Sequence, residues 1–167
     1  MMKRMVARIN LLLLAFFIFT GLVTAGPAFS VVLFTLEEAR QAEWPASLSV
    51  GERATVFQER LIVPESTKAG PEIKVLSPEP EKTYLSPLKV LVKFFPREGT
   101  QVDLGSLKVE CLKFLSINIT DRVKKYMDNQ GINVEKAELP SGTHKIKITL
   151  RDTGGGITSN IFVVKVQ

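Results

Sequence analysis

The clearest pattern in the chain lies near its C-terminal end, where apolar and polar residues alternate one for one. Ile146, Ile148 and Leu150 share one parity, and Lys145, Lys147, Thr149 and Arg151 share the other. Strict period-two alternation marks a strand with one buried face, so residues 143–151 are predicted as a strand. The next five residues, Asp152 to Gly156, read Asp-Thr-Gly-Gly-Gly. An Asp that can bond its own backbone, followed by glycines free to take positive φ, makes a turn. Residues 157–166 are then the return strand of a hairpin. Phe162, Val164 and Val166 share one parity there, and Ile161, Val163 and Lys165 share the other. Apolar character on both sides predicts that one set packs in the core and the other is partly covered.

The same grammar runs back to residue 72. Residues 72–76 form a short strand with Ile73 and Val75 on one face. In residues 87–95, Leu88, Val90, Val92 and Phe94 point inward and Lys89, Leu91, Lys93 and Phe95 outward. Residues 106–112 bring Leu107, Val109 and Cys111 inward, and residues 115–119 add Leu115, Ile117 and Ile119. Thr120 or Asp121 is placed to cap a helix over residues 122–127. Residues 131–134 form a brief strand before the hairpin. Short strands parted by Pro, Gly and Asx turns argue for an all-β, antiparallel sandwich. Residues 72–167 have the usual size of an immunoglobulin-type sandwich.

Residues 1–71 follow other rules. Residues 1–10 are basic, residues 11–23 are apolar apart from Thr20 and Gly21, and Val23-Thr24-Ala25 supplies small residues. That is the three-part pattern of a secretory signal peptide over residues 1–25. Ala28-Phe29-Ser30 is a second cleavage site. An uncleaved anchor is the alternative, because residues 11–34 are apolar enough to approach a membrane span, interrupted at Gly26-Pro27. Residues 26–71 read as a tether. Within it Thr35 and Glu38 form a capping box, which predicts a short helix near residues 36–43, ended by Trp44-Pro45. Residues 54–63 are a strand or a helix, docked on the sandwich or part of a loose linker.

Charge changes the picture little. The net charge of +5 includes Lys3, Arg4 and Arg8, so residues 31–167 carry 19 Lys+Arg against 17 Asp+Glu, or +2. Such a balance argues against a nucleic-acid partner, which needs clustered cations. The single cysteine, Cys111, has no partner for an internal disulfide and falls in register with core residues. The single histidine, His144, precedes Ile146 with the same parity and is read as a hydrogen-bonded residue at a sandwich end.

No nucleophile–base pair or acidic dyad is visible, so no catalytic residue, cofactor site or metal site is assigned. One His and one Cys cannot supply a zinc set. Met127 is the only Met beyond the signal segment, which leaves copper poorly supported. Asp103, Asp121 and Asp152 sit at loops, as calcium ligands do, but Asp152 is read as a turn former. Asn118-Ile119-Thr120 matches a glycosylation sequon that a strand end explains equally. The outward Lys89, Leu91, Lys93 and Phe95 mark a face where residues 54–63 can pack or a partner can add a strand.

Residues 72–167 resemble the bacterial immunoglobulin-like (cadherin-like) modules of exported proteins. The resemblance rests on three stretches. One is the opening strand with its Ser77-Pro78. The second is the Asp103-Leu104-Gly105-Ser106-Leu107-Lys108-Val109 strand. The third is Gly142-Thr143-His144 leading into the hairpin, with Arg151-Asp152-Thr153-Gly154-Gly155 at its turn. The Cys…Trp…Cys signature of antibody domains is absent. The resemblance implies a sandwich and leaves function open. The expectation is an exported, non-enzymatic binding or assembly module of the cell envelope, periplasmic or extracellular. Its partner would be another envelope protein or a surface polysaccharide, and it would touch membrane only through an uncleaved N-terminal segment. A carbohydrate-binding accessory module would need outward aromatics in a row, for which Tyr84, Phe95 and Tyr126 are candidates. A small periplasmic metal carrier or hydrolase would need a second polar cluster near His144.

Overall fold

The structure, a computed structural model, describes residues 30–43, 45–61, 68–113 and 115–167. The expected signal segment, residues 1–25, lies outside the described residues, as does the 62–67 stretch before the sandwich. Among the described residues no helix is long and apolar enough to cross a membrane.

The elements in order are β1 (Val31–Val32), α1 (Leu36–Gln41), α2 (Val50–Leu61), β2 (Glu72–Ser77), β3 (Thr83–Tyr84), β4 (Leu88–Phe95) and β5 (Val102–Leu112). They continue with β6 (Ile117–Asn118), α3 (Thr120–Lys124), β7 (Met127–Asp128), β8 (Gly131–Glu138), β9 (Gly142–Asp152) and β10 (Ile157–Val166). One sheet runs β2, β4, β8, and the other runs β3, β10, β9, β5, β6. On the far edge of β8, β7 pairs with Gly131 and Ile132, and β1 pairs with Ala137 and Glu138. The order β2–β4–β8–β7 against β5–β9–β10 is that of an immunoglobulin sandwich, with its A-B-E-D and C-F-G strands. The protein is an antiparallel immunoglobulin-like β-sandwich, and β1 and β3 are short parallel additions at its edges.

Alternation translates directly into the core. Leu88, Val90, Val92 and Phe94 from one sheet meet Leu107, Val109, Cys111, Ile146, Ile148 and Leu150 from the other, all buried. The void left between the sheets is about 20 Å³ and is lined by apolar side chains such as Val92, Ile132 and Ile148. It has room for about one water and none of the polar partners a water needs, so the interior is not a ligand chamber. Gly131 is required where it stands. Its φ is +150°, and a Cβ there would lie 1.9 Å from the Val92 carbonyl oxygen.

Several expectations change. The strand expected over residues 115–119 shrinks to Ile117–Asn118, because Leu115 faces solvent (55 % exposed) while Ile119 dives into the core. The helix expected over residues 122–127 starts at Thr120 and stops at Lys124, with Ile119 at its N-cap and no side-chain cap. Thr120 is not free to cap it, because its hydroxyl accepts from the Val109 backbone N–H at 2.9 Å and ties α3 to β5. β8 runs on to Glu138, well past residue 134. Of the two readings of residues 54–63, helix is the one found over residues 54–61, as part of α2; residues 62 and 63 lie outside the described residues.

The stretch read as a tether shows the largest difference. The capping box forms as expected, with Thr35 Oγ1 accepting from Glu38 N–H and the Glu38 carboxylate accepting from Thr35 N–H. But Val31, Leu33, Phe34 and Ala39 are buried in the main core. Phe34, 1 % exposed, is among the largest fully buried side chains. The segment is therefore part of the sandwich, filling one end of it beside β8.

Candidate functional site

His144 is 2 % exposed, and its Nε2–H donates to the Pro140 carbonyl oxygen at 2.8 Å. Its ring meets Phe34 edge-on, with centroids 5.0 Å apart and planes 79° apart. Nδ1 has no partner and no solvent. Burial, opposed by the Pro140 bond, holds the imidazole below its ordinary pKa and therefore neutral. At 2 % exposure the imidazole offers a substrate no surface to reach. Cys111 is fully buried and burial pushes its thiol up to about 11, so it is a small core residue, as its register indicated.

The acidic candidates do not converge. Asp152 is buried in its own turn, where Oδ1 accepts from Gly156 N–H at 2.7 Å and Oδ2 lies 3.3 Å from Arg97 Nε. The Gly156 bond first, and Arg97 after it, hold this carboxyl below its usual value. Asp103 lies opposite Arg151 in the ladder and accepts from Gly105 N–H. Asp121 pairs with Lys124 on α3, 3.0 Å away. Among the described residues no group of three His, Cys, Asp or Glu side chains is placed to hold a metal ion. Asn118 Oδ1 accepts from Thr120 N–H at 2.9 Å, which gives the sequon residue a turn-forming role.

The aromatic candidates do not form a row. Tyr84 ends β3 beside Val166, with its hydroxyl accepting from Glu79 N–H at 2.8 Å. Phe95 lies at the other end of the molecule, at the finish of β4, under Lys74 Nζ at 4.9 Å. Tyr126 follows α3 and packs half-buried on the core. The outward face of β4 is also not an edge, since β2 and β8 flank it on both sides. The first turn of α2 lies elsewhere, with Val50, Arg53 and Ala54 sharing a pocket with Leu112, Thr143 and Lys145 of the other sheet.

Two features emerge that the pattern of residues did not mark. The first is the attachment of residues 30–42. Leu33 N–H donates to the Glu138 carbonyl oxygen at 3.0 Å, and Ser30 Oγ bonds the Glu138 carboxylate. The Arg122 guanidinium reaches from α3 to the Leu33 carbonyl and to both oxygens of Glu38. This guanidinium, with the Thr35 N–H after it, holds the Glu38 carboxyl down at about 2. At the far end of α1, Leu115 N–H donates to the Ala42 carbonyl oxygen at 3.2 Å.

The second feature is a groove of about 550 Å³ between β2 and β10. Val75, Leu76, Phe162 and Val163 line its apolar walls, with Pro80 and Glu81 at one end. Leu76 is 51 % exposed and Val163 is 37 % exposed. The outer edge of β10 is bridged at Ile157 by Ala69 and at Lys165 and Val166 by β3. Among the described residues, no strand pairs with residues 158–164 on that side. Asn160 reaches across, its Nδ2 donating to the Ile73 carbonyl oxygen at 2.9 Å. The sequence of this stretch, Thr-Ser-Asn-Ile-Phe-Val-Val, carries no charge and no proline, the usual protections of an open edge. That absence was the signal available beforehand; the missing edge partner was not.

No family model matches the chain, and no curated protein matches it. Two solved structures are similar to part of it. One is CopC from Methylosinus trichosporium OB3b, at 17 % identity and a TM-score of 0.38, covering 57 % of this chain and 94 % of that one. The other is murine CRIg, at 14 % identity and a TM-score of 0.38, covering 58 % of this chain and 98 % of that one. Neither likeness bears on what this chain binds.

Proposed function

We propose that the chain is a non-enzymatic binding module of the cell envelope that takes an extended segment of another envelope protein into the groove between β2 and β10. The observation that carries this reading is the uncharged stretch of β10, residues 158–164, with which no described strand pairs on its outer side, above an apolar groove. An incoming extended chain would satisfy the free backbone groups, and alternate side chains would fill the groove. The bridges at Ile157 and at Lys165 limit the occupant to a short segment. The basic, apolar and small-residue order of residues 1–25 supports the export half of the reading.

A photo-crosslinking residue at Leu76 tests it in cells. It is expected to capture one envelope protein, and Val163→Lys, which puts a charge on the open edge, is expected to abolish the capture. A crosslinker at Lys93, on the outer face of β4, should capture nothing. Capture at Leu76 that ignores Val163→Lys, or equal capture at both positions, would move binding away from the groove.

A further inference from the structure

The end of the sandwich at which β5, β8 and β10 finish differs from the opposite end. Leu36 (51 % exposed), Val50 (83 %), Leu85 (69 %) and Leu115 (55 %) all lie on it, each from a different segment. Their placement is fixed by neighbours. Leu36 opens α1 just after Phe34, whose ring meets His144 near the start of β9. Leu115 N–H donates to the Ala42 carbonyl at the close of α1. Val50 shares a pocket with Leu112, the last residue of β5. Leu85 precedes Ser86, whose hydroxyl accepts from Leu139 N–H just beyond β8.

Cations accompany these apolar groups. The pocket beside Val50, about 430 Å³, has Ala54 and Leu112 in its lining and also contains Arg53, Lys113 and Lys145, with Glu43 as its acidic member. An apolar surface edged by cations is the composition that settles at the boundary between phospholipid headgroups and acyl chains. The course of the chain points to the same surface. The apolar residues 11–23 are separated from β1 by residues 24–30 alone. Such a connection spans no more than about 25 Å fully extended. β1 then pairs with the last two residues of β8, Ala137 and Glu138, at this same end.

We infer that this end of the sandwich rests on an anionic phospholipid surface, with Leu36, Val50, Leu85 and Leu115 among the headgroups and Arg53, Lys113 and Lys145 toward the phosphates. The inference rests on the envelope location in the proposed function and on residues 1–25 remaining uncleaved, but not on the groove, which lies along the side of the sandwich.

The test uses the full-length chain with vesicles of phosphatidylcholine containing about a quarter phosphatidylglycerol. An environment-sensitive fluorophore is attached in turn to Leu115→Cys, Leu85→Cys and, at the opposite end, Thr153→Cys; the buried Cys111 thiol stays unlabelled in the native protein. Labels at 115 and 85 are expected to shift to the blue and be quenched by a lipid-borne quencher several-fold more than the label at 153. The triple variant Arg53→Glu, Lys113→Glu, Lys145→Glu, with circular dichroism unchanged, is expected to lose most of that difference while still co-sedimenting through its N-terminal segment. Pure phosphatidylcholine should give the same loss. Equal, water-like emission at all three positions in vesicle-bound protein overturns the inference and leaves the groove reading intact. Failure to co-sediment overturns it too, together with membrane attachment of the N-terminal segment. Loss of crosslinking at Leu76 with the fluorescence difference retained strikes the groove reading alone.

Discussion

β9 and β10 hold the core through an unbroken antiparallel ladder that runs from Ile157↔Arg151 to Val166↔Gly142. Residues 30–42 reach the same core through the two ladder pairs of β1, one aromatic ring and one guanidinium. The hairpin spreads its stabilisation over many small increments. The N-terminal strap concentrates its own at Phe34 and Arg122. Losing one side chain should therefore loosen the strap far more than it loosens the hairpin, whereas losing a whole segment should hurt most at the hairpin.

The largest effect is expected from deleting residues 162–167. The deletion removes the buried Val164 and Val166 and the partly buried Phe162. Each buried side chain of this kind is worth about 1.5–3 kcal/mol. It also strips the edge of β9. Against a domain stability of about 5–15 kcal/mol, the shortened chain should show no cooperative thermal transition by circular dichroism. Deleting residues 30–43 instead should lower the melting temperature substantially but keep a transition, because the two main ladders survive. A chain lacking residues 162–167 that still melted cooperatively would mean that β10 is the dispensable partner.

Phe34→Ala comes next. Truncating a fully buried Phe costs about 3–5 kcal/mol, while Leu36→Ala, at an exposed position two residues on, should stay within about 0.5 kcal/mol. Urea unfolding of both variants checks the contrast. Equal small effects would return the segment to the status of a tether.

This contrast also shows what could be read from the residues and what could not. The hairpin, β4 and the inward face of β5 were legible because period-two alternation is a local signal that needs no knowledge of neighbours. The capping box was legible for the same reason. The strap was not, because Val31 to Phe34 repeats the apolar composition of residues 11–23 and has no polar residue to reveal a period. Its core role depends on β8 offering an open edge and on Arg122 reaching back from far along the chain. Lys147 shows the same limit. Alternation put it outward, correctly, yet it is 9 % exposed, because what covers a sheet's outer face is not written in the strand. The groove is not legible in the residues for a related reason: two bridges of known register are needed to define which part of β10 they leave uncovered.

Arg122→Ala should have a smaller effect than Phe34→Ala. The pair with Glu38 is half-exposed, so solvent screening limits it to about 1 kcal/mol. Its pH signature is specific. Because Glu38 is held at about 2 in the folded chain, below its ordinary 4.5, its contribution is complete above 4.5 and is lost as pH falls through about 2. The stability difference between the parent and Arg122→Ala should shrink over that window. Cys111 offers a second readout. Native labelling of this buried thiol needs the sandwich to open, so Phe34→Ala should speed it and Leu36→Ala should not. Rapid labelling of the parent itself would contradict the buried assignment.

The smallest effect joins the two regions at a single atom. His144 belongs to β9, yet Phe34 of the strap is what its ring packs against. Burial depresses its pKa in the folded chain, whereas the unfolded chain protonates near the ordinary 6.5. The unfolded state therefore binds the extra proton first. Stability is full above 6.5, declines as pH falls below it, and levels off once the depressed folded value is passed. The chain has one histidine, so a slope that sets in as pH falls below about 6.5 reports this ring. His144→Gln, whose amide can still donate to the Pro140 carbonyl, should abolish the slope while leaving a pH-independent offset. Phe34→Ala should flatten the slope without removing the histidine, because water then reaches Nδ1 and the protonated ring no longer lacks a partner. Denaturant titrations at closely spaced pH values separate these cases. A parent protein that gains stability as pH falls through this window would show that Nδ1 finds an acceptor, and that the strap does not seal the end of the sandwich.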